Sequence, residues 1–248
     1  MRLDPQRALK AEDPLDQLEA LRLTYGEARP QDVLAGVYAE FPDQVALVSS
    51  FGADAAVLLH MVAEIDPGFP VLMLDTLMLF EETLDYQTEL AGRLGLTNVQ
   101  NLRPDPEDVK GADPTGTLHQ YDTDACCEIR KVMPLDRGLA RYPVTISGRK
   151  RFQSATRATL EVFEAHEDRL RINPLAAWSA RDLRDYMVAH DLPLHPLVPR
   201  GYPSIGCAPC TTPVKPGEDP RAGRWRGSEK VECGIHFGAD GRIFRVAI

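Results

Sequence analysis

Long apolar runs are missing from this chain, and so is any surplus of positive charge. The N-terminal stretch MRLDPQRALKAEDPLDQLEALRLTYG is charged throughout. It reads as neither a secretory signal nor a membrane span, so a cytoplasmic location is the default expectation. The formal net charge of −9 argues against a general nucleic-acid binder, which needs a basic surface. Cysteine is scarce: there are 5, an odd number, which speaks against a disulfide framework and for metal binding or thiol chemistry. No internal repeat, low-complexity tract or coiled-coil heptad is present.

What is there is an ordinary globular composition, 44% hydrophobic over 248 residues, enough for a sizeable core without staples. The acidic average hides a local reversal. Between Cys126 and Arg157 eight Lys or Arg (Arg130, Lys131, Arg137, Arg141, Arg149, Lys150, Arg151, Arg157) face two acids, Glu128 and Asp136. Such a patch fits a small anionic ligand, or else a solvated basic face.

Apolar spacing predicts helices over 14–25 and 30–41, a lead-in within a 1–43 segment. QVALVSSFGADAAVLLHMVAEI then reads as a buried strand (45–49), a turn with Gly52, and a helix from about 54 to 65. A second strand (71–74) runs into Asp75 and Thr76, a helix covers about 80–94, and TNVQNL is a third strand. The alternation predicts an α/β fold, an open parallel sheet covered by helices on both faces. Residues 103–122, with Pro104, Pro106, Gly111, Pro114 and Gly116, read as loop, followed by a helix with the first cysteine pair. YPVTISG is a fourth strand and LRINPL a short fifth; Ser179 is placed to cap the helix ARDLRDYMVAHD. Beyond Pro193 the chain reads as irregular. Three loops, Ser49 to Asp54, Asp75 to Thr76 and Ser147 to Arg151, should meet at the carboxyl ends of the strands, where such sheets bind ligands.

Gly52 permits close backbone approach to a phosphate, and the following helix offers N–H groups to an anion; Ser50 and Asp54 line the same turn. Asp75 and Thr76, at the end of the second strand, read by themselves as a helix cap. Cys126 and Cys127 are adjacent, and Cys207 and Cys210 form a C-x-x-C. Neighbouring cysteines splay apart, which suits the corners of a four-iron, four-sulfur cluster better than one zinc ion. Unconnected buried thiols are the third reading. A thioredoxin-type C-x-x-C does not suit a Pro-rich loop.

SFGADAAVLL, LDT, CCEIRKVMPL, ISGRKRFQSATR, NPLAAW, DLPLHPLVPRGYPSIGCAPCT, RAGRW and ECGIH follow one another in one order from about Val45 to His236. In that order the chain resembles the assimilatory adenylylsulfate (APS) reductases, grouped with the phosphoadenylylsulfate (PAPS) reductases in the adenine-nucleotide α-hydrolase-like superfamily. The resemblance implies a Rossmann-like sheet in a 44–230 reductase domain, with a C-terminal segment 231–248 carrying the nucleophile. It implies a [4Fe–4S] cluster on Cys126, Cys127, Cys207 and Cys210. It implies that Cys233, outside that set, attacks the sulfate sulfur, expels AMP and becomes S-sulfocysteine, from which thioredoxin releases sulfite for sulfate assimilation and cysteine biosynthesis. The resemblance places Asp75 and Thr76 near the nucleotide, and substrate ligands would be Lys131, Arg149 with the rest of the run to Arg151, Arg157, Arg221 and Arg224, with His236 tuning the thiolate or touching the leaving phosphate. A homo-oligomer is expected.

The pattern departs from the family at Asp54 and Ala55 (usually Glu, Asp), Leu77 and Glu81 (commonly Gly, Pro) and Phe152 (usually acidic). Twelve residues also follow His236, near where the family tends to stop. Three other functions stay open: PAPS reductase, an ATP-using sulfur transferase whose Ser-Gly-Gly-type loop Phe51 and Ala55 would interrupt, and an inert zinc module.

Overall fold

The structure, a computed structural model, describes residues 14–166, 169–228 and 230; Cys233, His236 and the segment 231–248 lie outside the described residues. A 3-10 turn (Pro14–Gln17) leads into α1 (Leu18–Tyr25) and α2 (Pro30–Glu40). Then come β1 (Val45–Ser49), α3 (Ala55–Ile65), β2 (Val71–Leu74), α4 (Glu81–Leu94) and β3 (Val99–Leu102). They are followed by α5 (Pro106–Ala112), α6 (Thr123–Cys127), a π-helical turn (Glu128–Val132) and α7 (Met133–Leu139). β4 (Val144–Ser147), β5 (Phe163–His166), β6 (Arg169–Ile172) and α8 (Ala180–Ala189) complete the regular elements.

The sheet order is β3-β2-β1-β4-β6-β5. All pairings are parallel except β5 with β6. β1 can pair on both sides because VALVS is apolar on both faces of its pleat. Val45 and Leu47 join the core shared with α3, α4 and α8, while Ala46 and Val48 meet Leu135 and Leu139 of α7 on the other face. Leu21, Val33, Leu34, Val37 and Phe41 of the helical lead-in belong to the first of these cores, so lead-in and sheet share one interior. Strand order reverses between β1 and β4, which opens a crevice beyond their carboxyl ends.

Two expectations are corrected. The stretch 103–122 is not all loop: Pro106 starts α5, where a missing N–H costs nothing, and the Asp105 carboxylate accepts from the Glu107 N–H as its cap. The fifth strand has a partner that was not foreseen, β5, whose FEAH shows too little apolar alternation to stand out but closes antiparallel on β6. The cap of α8 is as expected, with Ser179 and Asp182 bonding reciprocally. No helix among the described residues is long and apolar enough to cross a membrane.

Candidate active site

The crevice has a volume of about 300 Å³. The three predicted loops do converge on it. Ser50, Gly52 and Asp54 come from the turn after β1, Thr76 from the end of β2, and Arg149, Lys150 and Arg157 from the stretch after β4. Lys131, Arg221 and Arg224 also line it, as does Cys207. Four of the eight basic residues of that stretch, Lys131, Arg149, Lys150 and Arg157, therefore line one crevice, while Arg137, Arg141 and Arg151 are exposed and keep the solvated-face reading.

The turn after β1 is tight because Phe51, fully buried, takes φ 48°, a left-handed conformation, and its N–H donates to Ser49 Oγ at 3.2 Å. Gly52 serves by its size: a Cβ there would stand 3.2 Å from Ser50 Oγ. Asp54 precedes α3 but does not cap it. Its carboxylate instead accepts from Nζ of Lys150 at 3.0 Å, leaving the first N–H groups of α3 without a side-chain cap from it. Lys150 is 2% exposed; burial pushes its pKa down, with Asp54 opposing and Arg157 adding to the fall. The Gln153 carboxamide orients this loop, accepting from Lys150 N–H at 3.1 Å and from Arg157 Nη1 at 2.6 Å.

Asp75 and Thr76 part company. Thr76 lines the crevice, with Oγ1 3.3 Å from Cys207 Sγ. Asp75 is buried in a turn, accepting from Leu77 N–H at 3.1 Å and Arg103 Nε at 2.8 Å. Within the Gly-Arg-Lys-Arg run, Arg151 turns away to the carbonyl of Leu160.

Cys126, Cys127 and Cys207 are buried, Cys210 half-buried, and no disulfide joins them. They occupy one neighbourhood. The Cys126 thiol is pushed up to about 11, chiefly by burial, with Cys127 adding, Arg130 opposing, and Cys207 and Cys210 adding less. Burial also raises Cys210, with Lys131 and Arg224 drawing it back down. Two bridges hold the C-x-x-C loop: Leu79 pairs with Cys207, and Thr211 with Arg224. Gly206 leaves room for the Arg224 guanidinium, which a Cβ would meet at 2.2 Å, and Arg224 also lies over the Trp225 ring. Arg130 anchors the other pair of cysteines through a buried ion pair with Asp113, 2.8 Å, and a bond to the Thr76 carbonyl.

No three His, Cys, Asp or Glu side chains among the described residues are grouped as they would be around a metal ion. Four thiols that no disulfide joins, with Arg130, Lys131 and Arg224 close enough to act on them, form a donor set whose chemistry fits an iron–sulfur core.

Sequence reasoning did not single out Gln153, Arg171 or Asp113. For Arg171 a signal existed: a charge inside a strand that pairs on both sides, where solvent is scarce.

A family model described as phosphoadenosine phosphosulfate reductase domain matches residues 44–213. The chain belongs to that family. Within the phosphoadenosine phosphosulfate reductase family, it is 56% identical over 214 residues to an adenosine 5'-phosphosulfate reductase of Mesorhizobium japonicum, covering 86% of this chain and 84% of that one. It is 51% identical over 229 residues to a protein of the same name from Chelativorans sp., covering 90% and 94%. A crystal structure of phosphoadenylyl-sulfate reductase from Candida auris superposes with a TM-score of 0.67 at 24% identity, over 86% of this chain and 99% of that one. That last likeness concerns the fold.

Proposed function

We propose that the chain is a thioredoxin-dependent adenylylsulfate reductase, producing sulfite and AMP in sulfate assimilation. The observation that carries this reading is the meeting of a cationic crevice with four thiols that no disulfide joins, Cys207 and Lys131 lining the crevice beside them.

An adenylylsulfate binds with its phosphosulfate among Lys131, Arg221, Arg224, Lys150 and Arg157, which neutralise an electrophile that would otherwise repel a thiolate. The N-terminal end of α3, which has no side-chain cap from Asp54, and the Ser50 hydroxyl add donors from the β1 turn. Cys233 attacks the sulfate sulfur as a thiolate; an S–S bond forms, the S–O bond to phosphate breaks, and the electron pair leaves with AMP. The protein then carries S-sulfocysteine. A thiolate of thioredoxin attacks Sγ of Cys233, sulfite departs with the S–S pair, and the second thioredoxin thiol resolves the mixed disulfide, so the two electrons come from the dithiol. His236 is assigned to the leaving phosphate.

Cys126, Cys127, Cys207 and Cys210 would hold a [4Fe–4S] cluster. When bound, it would supply a compact charge near Lys131 and would join α6, which carries Cys126 and Cys127, to the C-x-x-C loop. Thr76 Oγ1 and the buried Arg130 orient these ligands from the protein side.

Replacing Cys233 by Ser tests the reading. Sulfite release should vanish, and the wild-type protein incubated with adenylylsulfate alone should gain the mass of one sulfonate group at Cys233. Sulfite release that survives the substitution would overturn it. PAPS is the second reading, favoured by the name of the matched family, and relative turnover of the two nucleotides separates them.

A further inference from the structure

The crevice ends, on the side away from the thiols, in a wall whose charges are already matched. β5 and β6 bring Glu164 directly opposite Arg171, on one face of the hairpin, and β6 brings Arg171 beside Thr145 of β4. Thr145, Arg149 and Arg171 all line the crevice. Arg149 Nη2 donates to Glu164 Oε2, and at 3.2 Å to Asn173 Oδ1; its Nε donates to Ser147 Oγ at 3.2 Å. Asn173, fully buried, donates to the same Glu164 oxygen at 2.9 Å and to the Glu161 carbonyl, and accepts from Ser147 Oγ at 2.6 Å. One carboxylate thus pairs with Arg149 and stands across the hairpin from Arg171. It keeps 30% of its side chain open to solvent, against 11% for Arg149.

Thr76 and Cys207 sit at β2, and Arg171 on β6, three strand spacings away in the order β2-β1-β4-β6. At about 4.8 Å per spacing this is roughly 14 Å. A nucleotide whose sulfate lies by the thiols therefore spans the crevice and brings its ribose to the β4–β6 wall. An additional phosphate on the ribose would meet Glu164 there, and would have to displace it from Arg149 to gain a partner. A ribose hydroxyl has no such conflict.

We infer that Glu164 is a specificity-determining residue: by occupying Arg149 and facing Arg171 it makes the ribose end of the crevice accept a hydroxyl and reject a second phosphate. The inference rests on the adenylylsulfate reading of the same site. Glu164→Gln removes the negative charge that a phosphate would meet beside Arg149 and Arg171, while the Asn173 bond can persist.

The test compares affinities for AMP and adenosine 3',5'-bisphosphate, which differ only by the phosphate in question, by calorimetry on the intact protein. Glu164→Gln should tighten bisphosphate binding at least tenfold while AMP changes less than threefold, and turnover of PAPS relative to APS should rise in parallel. Arg149→Met serves if Glu164→Gln does not fold; it should lower the bisphosphate-to-AMP affinity ratio below wild type. An unchanged ratio in either variant, or an equal loss of both ligands, would overturn the inference. If the wild-type protein turns over neither nucleotide, the reductase reading fails instead.

Discussion

Nζ of Lys150 stands 3.0 Å from Oδ2 of Asp54, which joins the loop after β4 to the start of α3 across the switch point of the sheet. The pair holds a buried cation in place without quenching the helix terminus beside it. Lys150→Met should lower kcat/KM about ten- to hundredfold, the worth of a charge-assisted hydrogen bond, with stability unchanged or raised. Asp54→Asn leaves the ammonium uncompensated. Since Asp54 keeps 35% of its side chain in solvent, the cost should be about 1–3 kcal/mol, below that of a fully buried pair. Urea denaturation and steady-state kinetics on both variants check the two signs.

His195 predicts acid sensitivity. It is fully buried, its Nδ1 accepts from Leu197 N–H at 3.1 Å, and its Nε2 faces Thr83 Oγ1 at 3.1 Å. Burial lowers its pKa to about 4, with Glu82 opposing. The unfolded chain binds a proton near pH 6.5 that the folded chain refuses until about 4, so stability is full above 6.5 and falls through that window. The loss at pH 5 should be about 2 kcal/mol. His60, also lowered by burial, adds in the same direction. Comparing urea midpoints at pH 7 and 5 for wild type and His195→Gln isolates the larger share; equal losses in both would assign the effect elsewhere.

Anaerobic purification should give a brown protein with about four irons per chain, and Cys207→Ser should lose the colour while the nucleotide affinity persists in part. Iron, sulfide and zinc analysis with an absorption spectrum checks it. One zinc per chain and no colour would contradict the cluster assignment.

Leu77 carries φ 60° while 56% exposed, directly after Thr76. A left-handed Leu is strained where glycine is not. Leu77→Gly should raise stability by up to about 1 kcal/mol in thermal melts, and a decrease would show that its side chain makes contacts outweighing the strain.

The sheet was largely legible because VALVS, VLML and VTIS are short apolar runs set between helical periods, and such runs have few other fates. The crevice followed from their carboxyl ends. What escaped depends on pairings distant in sequence. Asp113 looks like one polar residue in a loop until Arg130 meets it in the interior. Asp54 looks like a helix cap until Lys150, on another strand's loop, takes its carboxylate. Phe51 and Leu77 gave no sign of left-handed backbone, since side chains of that kind ordinarily avoid it.

The π turn at Glu128–Val132 sets the phase between two tasks of one helical stretch. Upstream, Cys126 and Cys127 face the thiol neighbourhood; downstream, Leu135 and Leu139 face the sheet. Each residue of an α-helix advances the direction by about 100°, so the extra residue of a wide turn rotates one task against the other by that amount. Deleting one residue in this turn would leave an unbroken helix and an intact apolar seam, yet swing the cysteines out of register with Cys207 and Cys210. A change in the length of this stretch would therefore leave a protein that folds with its first cysteine pair turned away from the second.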